Sequence, residues 1–183
     1  MKFISAILAM TITTIASAQV ISPNGKVEWR EKGKGFAVVY HDGNNECEVL
    51  DITNVGMLTK DGGGKDLTLK AKMPVKTIKD SYTMIGGKRH DCSNEANEVT
   101  YLYIDNIGRE QQLIVRAYNN GIAFRYAFDA LQHTRPTEEL TTYSIAEGTK
   151  RWMQKWTEPY EEFFPLSTTG ESENKRRGYP ALL

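Results

Sequence analysis

The chain has 183 residues and balances 23 Lys and Arg against 23 Asp and Glu, for a formal net charge of zero. Neutral balance gives no electrostatic case for nucleic acid or for an anionic membrane surface, and the short run Lys175-Arg176-Arg177 reads as a solvated loop. With 40% hydrophobic residues, the length suits about one domain able to bury a substantial core.

Residues 1–18 read as a secretory signal peptide. Lys2 supplies the positive start, Phe3 to Ile15 the apolar run, and Ala16-Ser17-Ala18 the small residues before a cleavage point at Gln19. The run is short of the roughly 20 apolar residues that span a bilayer, and no later segment is more apolar. The expectation is an exported, periplasmic protein with no membrane span after cleavage and one domain over residues 19–183.

After the leader, short runs rich in Val, Ile, Thr, Tyr and Phe follow one another. Strands are predicted at Val27–Arg30, Phe36–Tyr40, Glu46–Ile52, Leu67–Lys70, Glu98–Ile104, Gln111–Ala117, Ile122–Phe128 and Leu140–Ser144. Turn signals separate them: Pro23-Asn24-Gly25, His41-Asp42-Gly43-Asn44, Asp61-Gly62-Gly63-Gly64, Asp105-Asn106-Ile107-Gly108 and Asn119-Asn120-Gly121. Such spacing points to an all-β sandwich or barrel with no long helix. Asn120-Gly121 tolerates the positive φ of a tight hairpin turn, so its flanks are expected to pair antiparallel. Phe124, Tyr126 and Phe128 then share one face, which reads as core. Residues 129–139 read as a loop. Tyr179-Pro180-Ala181-Leu182-Leu183 begins another apolar element, expected to stand unpaired, as in a truncated reading frame or fragment.

The motifs for chemistry are sparse. There is no G-x-S-x-G elbow and no H-E-x-x-H. His41, His90 and His133 lie in or beside predicted turns and read as surface residues. Gly62-Gly63-Gly64-Lys65 and Gly86-Gly87-Lys88 lack the strand-to-helix setting of a phosphate loop and read as ordinary turns. Cys47 and Cys92 stand in no C-x-x-C pair; in an exported chain they are either bridged or two small apolar residues. Two acidic groups stand out, Asn94-Glu95-Ala96-Asn97-Glu98 and Glu158-Pro159-Tyr160-Glu161-Glu162-Phe163-Phe164. Both read first as surface acid. Adjacent glutamates on a strand face opposite ways, so Glu161 and Glu162 are a poor pair for one glycosidic bond, although one could be a lone hard ligand for calcium.

Five segments, in order, resemble family 97 glycoside hydrolases, the exported α-glucosidases and α-galactosidases of Bacteroides-like bacteria. They are Ile21-Ser22-Pro23-Asn24-Gly25-Lys26, Asp80-Ser81-Tyr82-Thr83-Met84-Ile85-Gly86-Gly87-Lys88-Arg89, Asn94-Glu95-Ala96-Asn97-Glu98, Val115-Arg116-Ala117-Tyr118-Asn119-Asn120-Gly121-Ile122-Ala123-Phe124-Arg125-Tyr126 and Glu138-Glu139-Leu140-Thr141-Thr142-Tyr143. The resemblance implies an antiparallel β-sandwich of the galactose-mutarotase-like supersandwich type, here incomplete, in front of a (β/α)8 catalytic barrel and a small C-terminal β-domain.

It follows from the resemblance that the family's acid, base and nucleophile lie on the barrel, so no catalytic residue is carried over to this chain. The α-glucosidase branch draws one calcium ligand from the sandwich, a glutamate placed ahead of an aromatic residue. Glu161-Glu162-Phe163-Phe164 matches, with Glu161 as the metal ligand and Glu162 as the fallback. The implied function is a non-catalytic domain packing on the barrel of an α-glycosidase that acts on an α-linked oligosaccharide, with calcium bound in the full-length enzyme. The alternative is a stand-alone carbohydrate-binding module using Trp152, Trp156 and Tyr160 as a stacking platform; a third reading is an incomplete gene product without activity.

Overall fold

The computed structural model describes residues 19–128, 135–159, 161–169 and 177–182. Among these there is no helix; every regular element is a strand. In chain order they are β1 (Val20–Ile21), β2 (Val27–Lys32), β3 (Gly35–Asp42), β4 (Asn45–Asn54), β5 (Met57–Thr59), β6 (Thr68–Lys72), β7 (Lys76–Thr83), β8 (Asp91–Ile104), β9 (Glu110–Tyr118), β10 (Gly121–Phe128), β11 (Pro136–Glu139), β12 (Thr142–Ser144), β13 (Lys150–Lys155), β14 (Leu166–Thr168) and β15 (Arg177–Leu182).

Two antiparallel sheets make the sandwich. One runs β1-β2-β3-β4-β12; the other runs β10-β9-β8-β6, with β7 also on β8. Strand alternation explains how they meet. Val99, Tyr101 and Tyr103 point inward from β8, and Leu113, Val115 and Ala117 from β9. Trp29, Phe36 and Ile52 answer from the first sheet. Trp29 stacks on Phe36 with ring centroids 4.5 Å apart, and Phe36 meets Tyr101 edge-on at 5.1 Å. Each such buried side chain contributes on the order of 1.5–3 kcal/mol, which is how alternation in the sequence becomes sandwich stability. Phe124 and Tyr126 pack against this core, as the row of aromatics in β10 leads one to expect.

Smaller sheets flank the sandwich: β11 pairs with β5, and β13 lies between β14 and β15. Two expectations are corrected here. Residues Pro136–Glu139 are not loop but β11, which Pro136 can open because a missing N–H is tolerated at the first residue of an edge strand. The C-terminal element is not unpaired either: β15 runs antiparallel to β13, Trp152 opposite Leu182. The leader (1–18) and His133 lie outside the described residues.

The hairpin at Asn119-Asn120 is observed, Gly121 pairing with Tyr118, but the turn differs from the expected one. Neither asparagine nor Gly121 has positive φ. A tertiary bond ties the turn to the start of the chain: Asn119 Oδ1 accepts the backbone N–H of Asn24 at 2.8 Å.

Candidate functional site

The predicted site residues fall on β13 and on the loop to β14. Trp152 sits on β13 opposite Leu166 of β14, and both side chains are exposed, 37% and 55%. Trp156 follows β13 and is 41% exposed. Glu161 and Glu162 lie in the connecting loop, both exposed, followed by Phe163 at 87% exposure and Phe164. Tyr160 lies outside the described residues. The argument that adjacent strand glutamates diverge does not apply, because residues 161–165 are not a strand. Glu162 Oε1 instead accepts the N–H of Phe163 at 3.2 Å.

This loop offers hard carboxylate oxygen at Glu161 and, less freely, at Glu162. Nothing else joins them: among the described residues no group of three or more His, Cys, Asp or Glu side chains could hold a metal. Calcium prefers six to eight oxygens, so these carboxylates by themselves supply too few ligands for a calcium site. Exposed apolar side chains, Trp152, Trp156, Phe163, Phe164 and Leu166, lie on the same stretch as these acids.

Other acids turn out to be structural. Glu98 is buried, not surface acid. Arg116 Nε donates to it at 2.6 Å and Lys76 Nζ lies at 3.0 Å. Burial works to raise its pKa, yet these hydrogen bonds outweigh burial and hold the carboxyl below its ordinary value. Glu28 is 1% exposed on the outward face of β2. Arg30 donates to it from Nε at 2.9 Å and Nη2 at 2.8 Å, and His41 Nε2 lies 2.7 Å away. Hydrogen bonding from Arg30 foremost, against burial, keeps the Glu28 carboxyl below the usual range. His41 is therefore a member of a strand-face network rather than a free turn residue, whereas His90 is exposed beside Asp91. Cys47 and Cys92 are both free thiols.

The glycine run is also more than an ordinary turn. Gly64 N–H donates to buried Asp105 Oδ2 at 2.8 Å, while Asp105 Oδ1 accepts from Ile107 and Arg109 N–H at 3.0 and 2.8 Å. A side chain at Gly64 would run into the Met57 carbonyl. The sequence signal for this was the pairing of an Asp-Asn-x-Gly turn with a triple glycine, which local turn rules treat separately.

Comparison with solved structures returns the same architecture. A crystal structure of a beta-arabinopyranosidase superposes with a TM-score of 0.69 at 20% identity, covering 90% of this chain and 29% of its own. A family 97 glycoside hydrolase from Pseudoalteromonas sp. strain K8, in complex with acarbose, gives 0.62 at 17% identity, covering 82% of this chain and 24% of its own. The chain thus spans under a third of the length of these enzymes. No curated protein matches. The family model for the glycosyl hydrolase 97 N-terminal domain matches residues 20–183, which span every strand described above, and the chain belongs to that family.

Proposed function

We propose that this domain is the non-catalytic front part of an exported, periplasmic α-glycosidase, that it docks on a (β/α)8 catalytic barrel, and that Glu161 reaches across as one calcium ligand. The observation that supports this reading is the apolar setting of the acid. Trp152, Trp156, Phe163, Phe164 and Leu166 all expose large apolar surface on β13, β14 and the loop between them. Single exposed hydrophobics are ordinary, but such a group on one short stretch marks a surface that is covered in use. A carboxylate beside such a surface would suit a metal shared between two domains. When bound, calcium would polarise the reacting centre and orient the sugar. This chain's part is to hold an oxygen donor and to exclude water around it.

The test uses the full-length enzyme. Calcium titration is expected to show affinity weakened at least tenfold in Glu161→Gln and near wild type in Glu162→Gln. Equal affinity in Glu161→Gln and wild type would refute the assignment, and the reverse order would move it to Glu162. The 183-residue chain alone is expected to show no turnover of nitrophenyl α-glycosides. Exposed Trp152 and Trp156 also suit a carbohydrate-binding module. Saturable oligosaccharide binding lost in Trp156→Ala would favour that second reading.

A further inference from the structure

β7 is an edge strand with an open side. It pairs with β8 and with no other strand among the described residues. β9 reaches β8 only from Ala96 onward, so Asp91–Glu95 and their β7 partners form a two-stranded ribbon projecting past the sheet. Apart from half-buried Ile78, every residue of β7 is exposed. An open edge of this kind presents a row of backbone donors and acceptors ready to pair with another strand.

We propose that this edge is the interface between two copies of the protein, paired antiparallel about a two-fold axis through Ile78. Among registers centred in the first half of the edge, symmetry and charge favour one. A two-fold axis normal to an antiparallel sheet requires that some residue face its own copy. Centring on Lys79 or Asp80 sets like charge against like. Centring on Thr77 leaves Lys76 opposite Ile78 and Asp80 opposite Pro74. Centring on Ile78 places Lys76 opposite Asp80 of the second copy, twice by symmetry, with Ile78 against Ile78 between them.

The side chains already in place extend this pattern. Lys76 and Asp80 are on one face of the ribbon. Lys76 is held 3.0 Å from Glu98 Oε1, and Asp80 lies 3.3 Å from Arg116 Nη1. Pairing would therefore run Arg116, Asp80, Lys76 and Glu98 in a row of alternating charge across the interface. On the opposite face Lys79 is already matched by Glu95 at 3.1 Å, and it would meet only Thr77 of the second copy. Edge lysines normally repel a second edge; here each has a carboxylate within its own chain, and the chosen register adds attraction rather than repulsion.

Analytical ultracentrifugation of the full-length protein tests this, with melting curves to confirm that each variant folds. The expected result is a concentration-dependent dimer. Lys76→Asp or Asp80→Lys alone should weaken it about tenfold or more, and the two together should restore it. A second measurement does not depend on those charges. In a Cys47→Ser, Cys92→Ser background, Ile78→Cys should cross-link to its own copy under mild oxidation, because bridged residues lie within about 4.4–6.8 Å at Cα. Lys76→Cys should not. A wild-type monomer at about 100 μM overturns the proposal, as does a charge swap that fails to restore association, or Lys76→Cys cross-linking better than Ile78→Cys. Monomer with protected β7 amides would mean that another part of the same chain covers the edge, which also overturns it.

Discussion

Asp105 Oδ2 accepts the backbone N–H of Gly64 at 2.8 Å, joining two turns 41 positions apart in the chain. The same carboxylate takes the N–H groups of Ile107 and Arg109 through its other oxygen. One buried acid thereby closes its own turn and fixes the glycine loop that leads from β5 to β6. Asp105→Ala leaves three N–H groups without this acceptor and should cost about 2–4 kcal/mol in urea unfolding. Asp105→Asn, which keeps one acceptor oxygen, should cost less than half as much.

Gly64→Ala and Gly108→Ala separate two effects of glycine. Both positions have positive φ, +94° and +81°. A methyl group at Gly108 meets nothing, so only the left-handed backbone penalty applies, about 1–2 kcal/mol. At Gly64 it meets the Met57 carbonyl and Gln111 as well. That variant should lose at least twice as much stability, read as the shift in urea midpoint between the two proteins.

Glu28 predicts an acid limb. Its folded pKa lies below the ordinary value of 4.5, so below that pH the unfolded chain binds more protons than the folded one. The stabilisation is complete above about pH 4.5 and is lost as pH falls through the lower, folded value. Arg30 is 32% exposed, and solvent screens part of the pair, so the loss is about 1–2 kcal/mol. Glu28→Gln should be less stable at neutral pH and flatter between pH about 5 and 3, when unfolding is followed across that range.

Tyr126 links three segments by its hydroxyl. The N–H of Gly56 donates to it at 2.8 Å, and Thr141 Oγ1 lies 2.7 Å away. Tyr126→Phe keeps the ring against Phe124 but leaves the Gly56 N–H without an acceptor. The expected cost is about 1–2 kcal/mol, with faster hydrogen exchange at Gly56 as its specific sign.

Legibility in the sequence followed burial. Strands with one apolar face, such as Val99-Thr100-Tyr101-Leu102-Tyr103-Ile104, announce themselves by alternation, and eight predicted strands lie within or overlap the observed ones. β7 and the first half of β8 were missed because Lys76–Thr83 and Asp91–Glu95 are polar on both faces and bury little. β13 was hidden for another reason, since its apolar residues carry no alternating polar face in the sequence; β15 was legible as an apolar element, but its pairing with β13 was not, because it spans the residues that separate Trp152 from Leu182. The hairpin at Asn119 was legible as pairing but not as a turn: its residues lack the positive φ that Asn-Gly suggests, and Asn119 bonds the distant Asn24 N–H, a contact local rules do not foresee.

The candidate site was legible only through resemblance. Glu161 and Glu162 carry no burial or bonding signature that would distinguish them from other exposed acids, apart from the Glu162 contact to Phe163. What the structure adds is their neighbourhood. Glu28 and Glu98 show the converse case: nothing local in the sequence marks them as buried, because the cations that neutralise them, Arg30 and Arg116, are ordinary strand residues until the sheet brings them alongside.

β8 accepts β9 on one side and both β6 and β7 on the other. A chain emerging from its N-terminus can close the β2-β3-β4 meander as soon as those residues are free, yet β6 and β7 have no lattice to join until Asp91–Ile104 has followed them. These two strands must therefore wait for the segment that follows them, and their exposed length during that interval is when a binding chaperone would have most to hold.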